Sequence, residues 1–176
     1  MLFSERSIWT MIHGVGLGGA AMLGLAAALF HLYAARAPSG AGEPGPGARA
    51  LAAVSMLTAA MLWLTVITGT YVIFPPYRLT PPAGVTDLGQ FPRAMLLANP
   101  DTAWLHRFAM EIKEHMPWIA SMLATAAAVV IARHPSRVFR DRSLRDLALG
   151  LLAVSFVLTA FVSLMGVFVN KVAPLQ

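Results

Sequence analysis

Four long apolar stretches alternate with shorter polar ones along this chain. Residues 12–35, 50–74, 112–132 and 147–169 are each close to the ~20 apolar residues that an α-helix needs to cross a bilayer core about 30 Å thick. In hydrocarbon every backbone N–H and C=O must be satisfied internally, which leaves helices as the form for such segments. The pattern therefore predicts an all-α fold, a polytopic membrane protein with four transmembrane helices in an up-down bundle, forming one membrane domain over residues 1–176. The polar punctuation agrees. Residues 36–49 read as a Pro/Gly/Ala linker, and Pro75-Pro76 close the second span. Residues 75–102 form a proline-rich loop carrying Pro81, Pro82, Pro92 and Pro100, with a short amphipathic turn expected around 91–97. The third helix is expected to start outside the bilayer, because Arg107, Glu111, Lys113 and Glu114 are too many charges for hydrocarbon.

Composition sharpens this picture. Apolar residues make up 57% of the chain and charged residues 12%, about half the ~25% of an ordinary soluble domain. The net charge of +5 carries no basic stripe with interleaved aromatics, so a nucleic-acid partner is not indicated. The basic residues act instead as topology signals. Arg137, Arg140, Arg142 and Arg145 crowd the loop at 133–146, which places that loop in the cytoplasm. Both termini and the proline-rich loop then lie outside, in the periplasm of a bacterial inner membrane. The first apolar run is expected to be a retained span rather than a cleaved leader, since residues 1–6 lack a positive charge excess. With no cysteine, thiolate metal sites and covalent c-type haem attachment are excluded, while b-type haem is not.

The candidate chemistry lies in the histidines. His13 and His31 stand 18 residues apart in the first span, and His115 and His134 stand 19 apart in the third. Spans one and three run in the same direction, so His13 falls level with His115, and His31 roughly level with His134. Intramembrane ionisable residues carry a functional expectation by default. A haem held by His13 and His115 is the leading reading, with Gly14 and Gly16 admitting the macrocycle. Glu111, one turn before His115, would orient the ring or carry protons. Glu114 or His106 would exchange protons at the mouth, and His106 is also a rival ligand. A second haem on His31 and His134 is less favoured, because five turns separate the two levels by about 27 Å. Otherwise those two are polar residues at helix ends. Glu111, Glu114, His115 and His13 would also suit a bare metal ion, although spans two and four supply no carboxylate. In the run Thr68-Gly69-Thr70-Tyr71, the hydroxyls either bond back to their own helix or meet a cofactor edge or quinone headgroup.

Four spans with His13, His31, His115 and His134 resemble the small integral-membrane b-type cytochromes, although the intrahelical spacing is longer than is usual there. The resemblance implies a b-haem electron-transfer subunit, with one haem or two, near a quinone site. Its partners would be the lipid bilayer and other redox subunits of a respiratory or photosynthetic complex. It would be an electron carrier or oxidoreductase subunit rather than a stand-alone enzyme. The alternative is a cofactor-free structural or accessory subunit whose histidines are hydrogen-bonded interface residues.

Overall fold

The computed structural model describes residues 4–34 and 45–174, and the linker between the first two spans falls mostly outside them. Four helices are long and apolar enough to cross a membrane: α1 (Glu5–Ala34), α2 (Pro46–Tyr77), α4 (Leu105–Arg133) and α6 (Arg142–Val172). Between them lie two short helices, α3 (Pro92–Ala98) and α5 (Arg137–Arg140). The described residues contain no strand, and the chain is an all-α bundle. Each long helix has 29 to 32 residues. That is about 43–48 Å of helix, so several ångströms of each end project beyond a ~30 Å hydrocarbon core.

Local signals set the helix ends. Pro46 occupies the first turn of α2, where its missing N–H costs nothing. Asp141 caps α6, accepting from the Leu144 N–H at 3.2 Å. The expected turn after the proline-rich loop is α3, whose Pro92 and Leu96 are buried. It rests its apolar side on the start of α4.

The packing order decides which side chains can meet. Helix α4 packs against α2 and α6, and α1 packs against the same two. Helices α1 and α4 thus occupy opposite corners of the bundle. Close approach is local: a methyl group added at Gly24 of α1 would collide with the Thr58 side chain of α2. The apolar core is divided. One cluster, including Leu25, Leu51, Ile131 and Leu152, fills the middle and the arginine-rich end. Another, including Tyr77, Leu96, Met110 and Met165, fills the end beneath the proline-rich loop, called here the loop end.

Polar groups bridge the helices between these clusters. The buried Ser155 hydroxyl of α6 donates to the Ala120 carbonyl of α4 at 2.9 Å. The Trp63 indole N–H of α2 donates to Thr125 Oγ1 of α4 at 3.0 Å. Such interhelical bonds contribute about 0.6 kcal/mol on average and about 1.7 at most. Ser155→Ala should therefore lower stability in detergent by about 0.6–1.7 kcal/mol, measured by reversible unfolding, with the helical content unchanged.

Candidate functional site

The loop end differs from the rest of the bundle in its backbone. Three π-helical stretches lie there, at Ile12–Gly18 in α1, Gly69–Ile73 in α2 and Leu105–Met110 in α4. A π turn widens the helix by one residue per turn and is frequent at functional sites. His13 lies in the first of these stretches and His106 in the third.

His13 is half-buried and turned toward α2. Its Nδ1 lies 3.1 Å from Thr68 Oγ1. The Thr68 hydroxyl is itself within 2.8 Å of the Leu64 carbonyl, which can only accept, so its proton is committed there. Thr68 Oγ1 therefore accepts from His13, whose Nδ1 carries the hydrogen. The Thr65 carbonyl bonds the same ring. Thr68 thus bonds back to its own helix, as one of the two expectations had it, and the same oxygen also receives the histidine. Beside it, a Cβ at Gly69 would come within 2.8 Å of the His13 ring. Gly69 is the residue that admits this imidazole.

Across the bundle, the fourth helix-bound group at this level is Lys113. Its side chain runs inward, and a Cβ built at Gly166 of α6 would fall 2.8 Å from Nζ. The Lys113 charge acts on His13. Basic side chains from the diagonal helices α1 and α4 thus each sit against a glycine of the other diagonal, α2 and α6. Lys113 was expected outside the bilayer among solvated charges, and the structure turns it into the bundle instead.

The inward course of Lys113 fixes where His115 goes. Two residues along an α-helix rotate the side chain by about 200°. His115 consequently points out of the bundle, and its side chain is 70% exposed. Its Nδ1 lies 2.8 Å from the Glu111 carbonyl, which can only accept, so Nδ1 carries a hydrogen. Glu111 is also exposed, with a carboxylate oxygen 3.9 Å from the same nitrogen. His13 and His115 share a level but not a site. They stand on opposite corners, one facing in and one facing out, and they do not fit as the two axial ligands of one haem within this chain. Gly14 and Gly16 are not its cradle either. Both are exposed, a Cβ at Gly14 would meet nothing within 4 Å, and one at Gly16 would only touch its own helix. The glycines on which a Cβ would press against a neighbouring side chain at 3.0 Å or less are Gly24, Gly69 and Gly166.

The second histidine pair is not assembled. His31 is exposed, stands near Gly47 and approaches the Phe139 ring edge-on at 6.3 Å. His134 closes α4, its N–H donating to the Val130 carbonyl at 3.1 Å. No hydrogen bond or ring contact joins the two among the described residues. Nor do the described residues gather three or more metal-binding side chains, so the alternative set of Glu111, Glu114, His115 and His13 does not converge.

His106 is held rather than solvated. The Tyr77 hydroxyl lies 2.8 Å from its Nδ1, and Tyr77 is only 4% exposed. The charges of Arg78, Arg93, Arg107 and Glu111 all reach this imidazole. Arg93 also keeps a buried Nε without a hydrogen-bond partner among the described residues. Placing residue 77 within the proline-rich loop hid this pair, since nothing in the spacing of Tyr77 and His106 announces it.

No protein-family description, curated protein or solved structure matches the chain.

The glycine geometry makes a differential prediction. Gly69→Ala forces the His13 ring to move and should cost about 1–3 kcal/mol of stability, the usual range for overpacking. Gly14→Ala meets open space and should be neutral or stabilising by up to about 1 kcal/mol, because alanine is the better helix former. Thermal unfolding of both variants in the same detergent checks the contrast.

Proposed function

We propose that this chain is an accessory subunit of a larger membrane assembly, docked through the outward stripe of α4 that carries Glu111 and His115. The observation that carries this reading is the outward course of His115. It lies ten residues into α4, about 15 Å from the helix start. With the hydrocarbon core centred on the helix, its boundary falls about 7 Å from that start. His115 is then on the membrane-facing surface at hydrocarbon depth. Ionisable groups at such depth almost always face a protein interior or a partner. The stripe continues with Met122 and Val129, 54% and 41% exposed, at successive seven-residue steps. A partner helix laid along it would bury the imidazole and extend the apolar contact.

The loop end is assigned to the outside of the membrane, since the arginine cluster at 137–145 marks the opposite end as cytoplasmic.

A second reading follows from the ring's hydrogen bond. His115 donates through Nδ1 to a backbone carbonyl, the orienting bond that a metal-ligating imidazole makes with its non-ligating nitrogen. A b-type haem shared between His115 and a ligand of the partner would supply one-electron transfer at this interface.

One experiment addresses both. The protein is extracted with its partners in mild detergent and run on a native gel, with a reduced-minus-oxidised visible spectrum of each band. A band heavier than the free chain, lost in the Glu111→Gln/His115→Leu double variant, supports docking through α4. A b-type spectrum lost in His115→Ala supports the shared haem. A wild-type chain that migrates alone and colourless contradicts both readings.

A further inference from the structure

The Tyr77–His106 pair stands among guanidinium groups that the docking stripe does not use. The charges of Arg78, Arg93 and Arg107 all reach the imidazole, and that of Arg93 also reaches the Tyr77 hydroxyl. The three come from different elements: the end of α2, α3 and the start of α4. Two carboxylates are near. Glu111 lies beside His115, and Glu114 feels Glu111, His115 and Arg78. Among the described residues neither makes an ion pair with any of the three arginines.

Arg93 is the most firmly seated of the three. Its helix α3 is pinned by the buried Pro92 and Leu96, and by the Thr102 hydroxyl, which donates to the Leu96 carbonyl at 2.9 Å. The Arg93 Nε is buried without a hydrogen-bond partner among the described residues. The side chain as a whole is half-buried, so the guanidinium is enclosed at its root and open at its tip. A side chain held this way has already lost rotamer freedom and meets an anion at less entropic cost than a mobile surface arginine. Its planar fork of N–H donors matches phosphate oxygens two at a time.

The depth selects the ligand. Arg107 lies two residues into α4, about 3 Å from its start and about 4 Å outside the hydrocarbon boundary. Arg78 follows the last residue of α2, and its guanidinium folds back over the Phe74 ring, 5.4 Å from the centroid. The headgroup layer is roughly 5–8 Å thick on each side of the core, so these groups stand at the height of lipid phosphates. We propose that Arg93, with Arg78 and Arg107, binds the phosphate of an anionic phospholipid headgroup in the leaflet at the loop end, beside the Tyr77–His106 pair. The ligand needs no path through the bundle, because its headgroup already lies at this height. The site shares no residue with the docking stripe of α4, and its failure leaves that reading untouched.

The test uses the full chain in zwitterionic phosphatidylcholine nanodiscs. Phosphatidylglycerol carrying a nitroxide near the top of one acyl chain is titrated while tryptophan fluorescence is followed. Trp104 lies two residues before His106, and none of the four tryptophans lies at the arginine-rich end, so binding there is silent. Wild type should show saturable quenching beyond that given by phosphatidylcholine with the same label. Arg93→Gln should weaken binding about 10–100-fold, the worth of a hydrogen bond to a charged group, and Arg107→Gln should weaken it in the same direction. Arg137→Gln, at the opposite end, should leave it unchanged. Circular dichroism verifies the fold of each, and Arg107, being exposed, is the variant least able to disturb it. Equal affinity in Arg93→Gln, Arg107→Gln and wild type overturns the proposal, as does equal quenching by the two lipids. Relief of quenching by inorganic phosphate but not by unlabelled phosphatidylglycerol also overturns it, and assigns the arginines to a free anion.

Discussion

The rotational phase of α4 governs what this bundle can do. Its buried residues Ala120, Ala124, Ala127 and Ile131 recur at steps of four, three and four, with Ser121 and Ala128 buried beside them, the spacing of a helix that packs on two neighbours. Lys113 lies one heptad before Ala120 and two before Ala127, and so falls on the inner stripe. His115 lies one heptad before Met122 and two before Val129, both exposed, and so falls on the outer one. Small residues on the inner stripe let α2 and α6 approach closely, and large ones on the outer stripe meet lipid or a partner. Rotating α4 to bring His115 inward would drive Met122 and Val129 into the core and withdraw the alanines from it. The energy of that packing far exceeds anything one imidazole can return.

Pro117 adds to the polar character at the same height. It has no N–H, so the Lys113 carbonyl loses its helical donor four residues on. Together with the π turns of α1 and α2, this concentrates irregular backbone at the level where His13 and Lys113 enter. The apolar clusters on either side keep the layer narrow. Irregular backbone in a membrane segment is tolerated where it is buried in protein, which is where this layer sits.

Much of the architecture was legible in the sequence. Apolar run length gave four spans, and proline gave the loops. The site was harder to read. Level matching placed His13 and His115 at one height, but height alone does not set the face. The alanine spacing from 120 to 131 carried the phase, and extending it back to 113 would have turned Lys113 inward. The glycines of the first span drew attention by number, yet Gly14 and Gly16 face outward. Gly69 and Gly166, which accommodate the two bases, lie in helices with few glycines. Which glycine meets which side chain depends on neighbours far along the chain, and local pattern does not encode it. The Tyr77–His106 bond is of the same kind, joining two helices across the proline-rich loop.

The most direct test of this account is the phase of α4 in a bilayer. The chain has no cysteine, so single cysteines can be placed and spin-labelled without background. Labels at positions 113 and 115, in protein reconstituted into lipid, report their exposure through relaxation by dissolved oxygen. The account predicts a protected label at 113 and a lipid- or partner-facing label at 115, with 122 and 129 following 115. A protected 115 and an exposed 113 would contradict it, and would restore His115 as a partner for His13 inside the bundle.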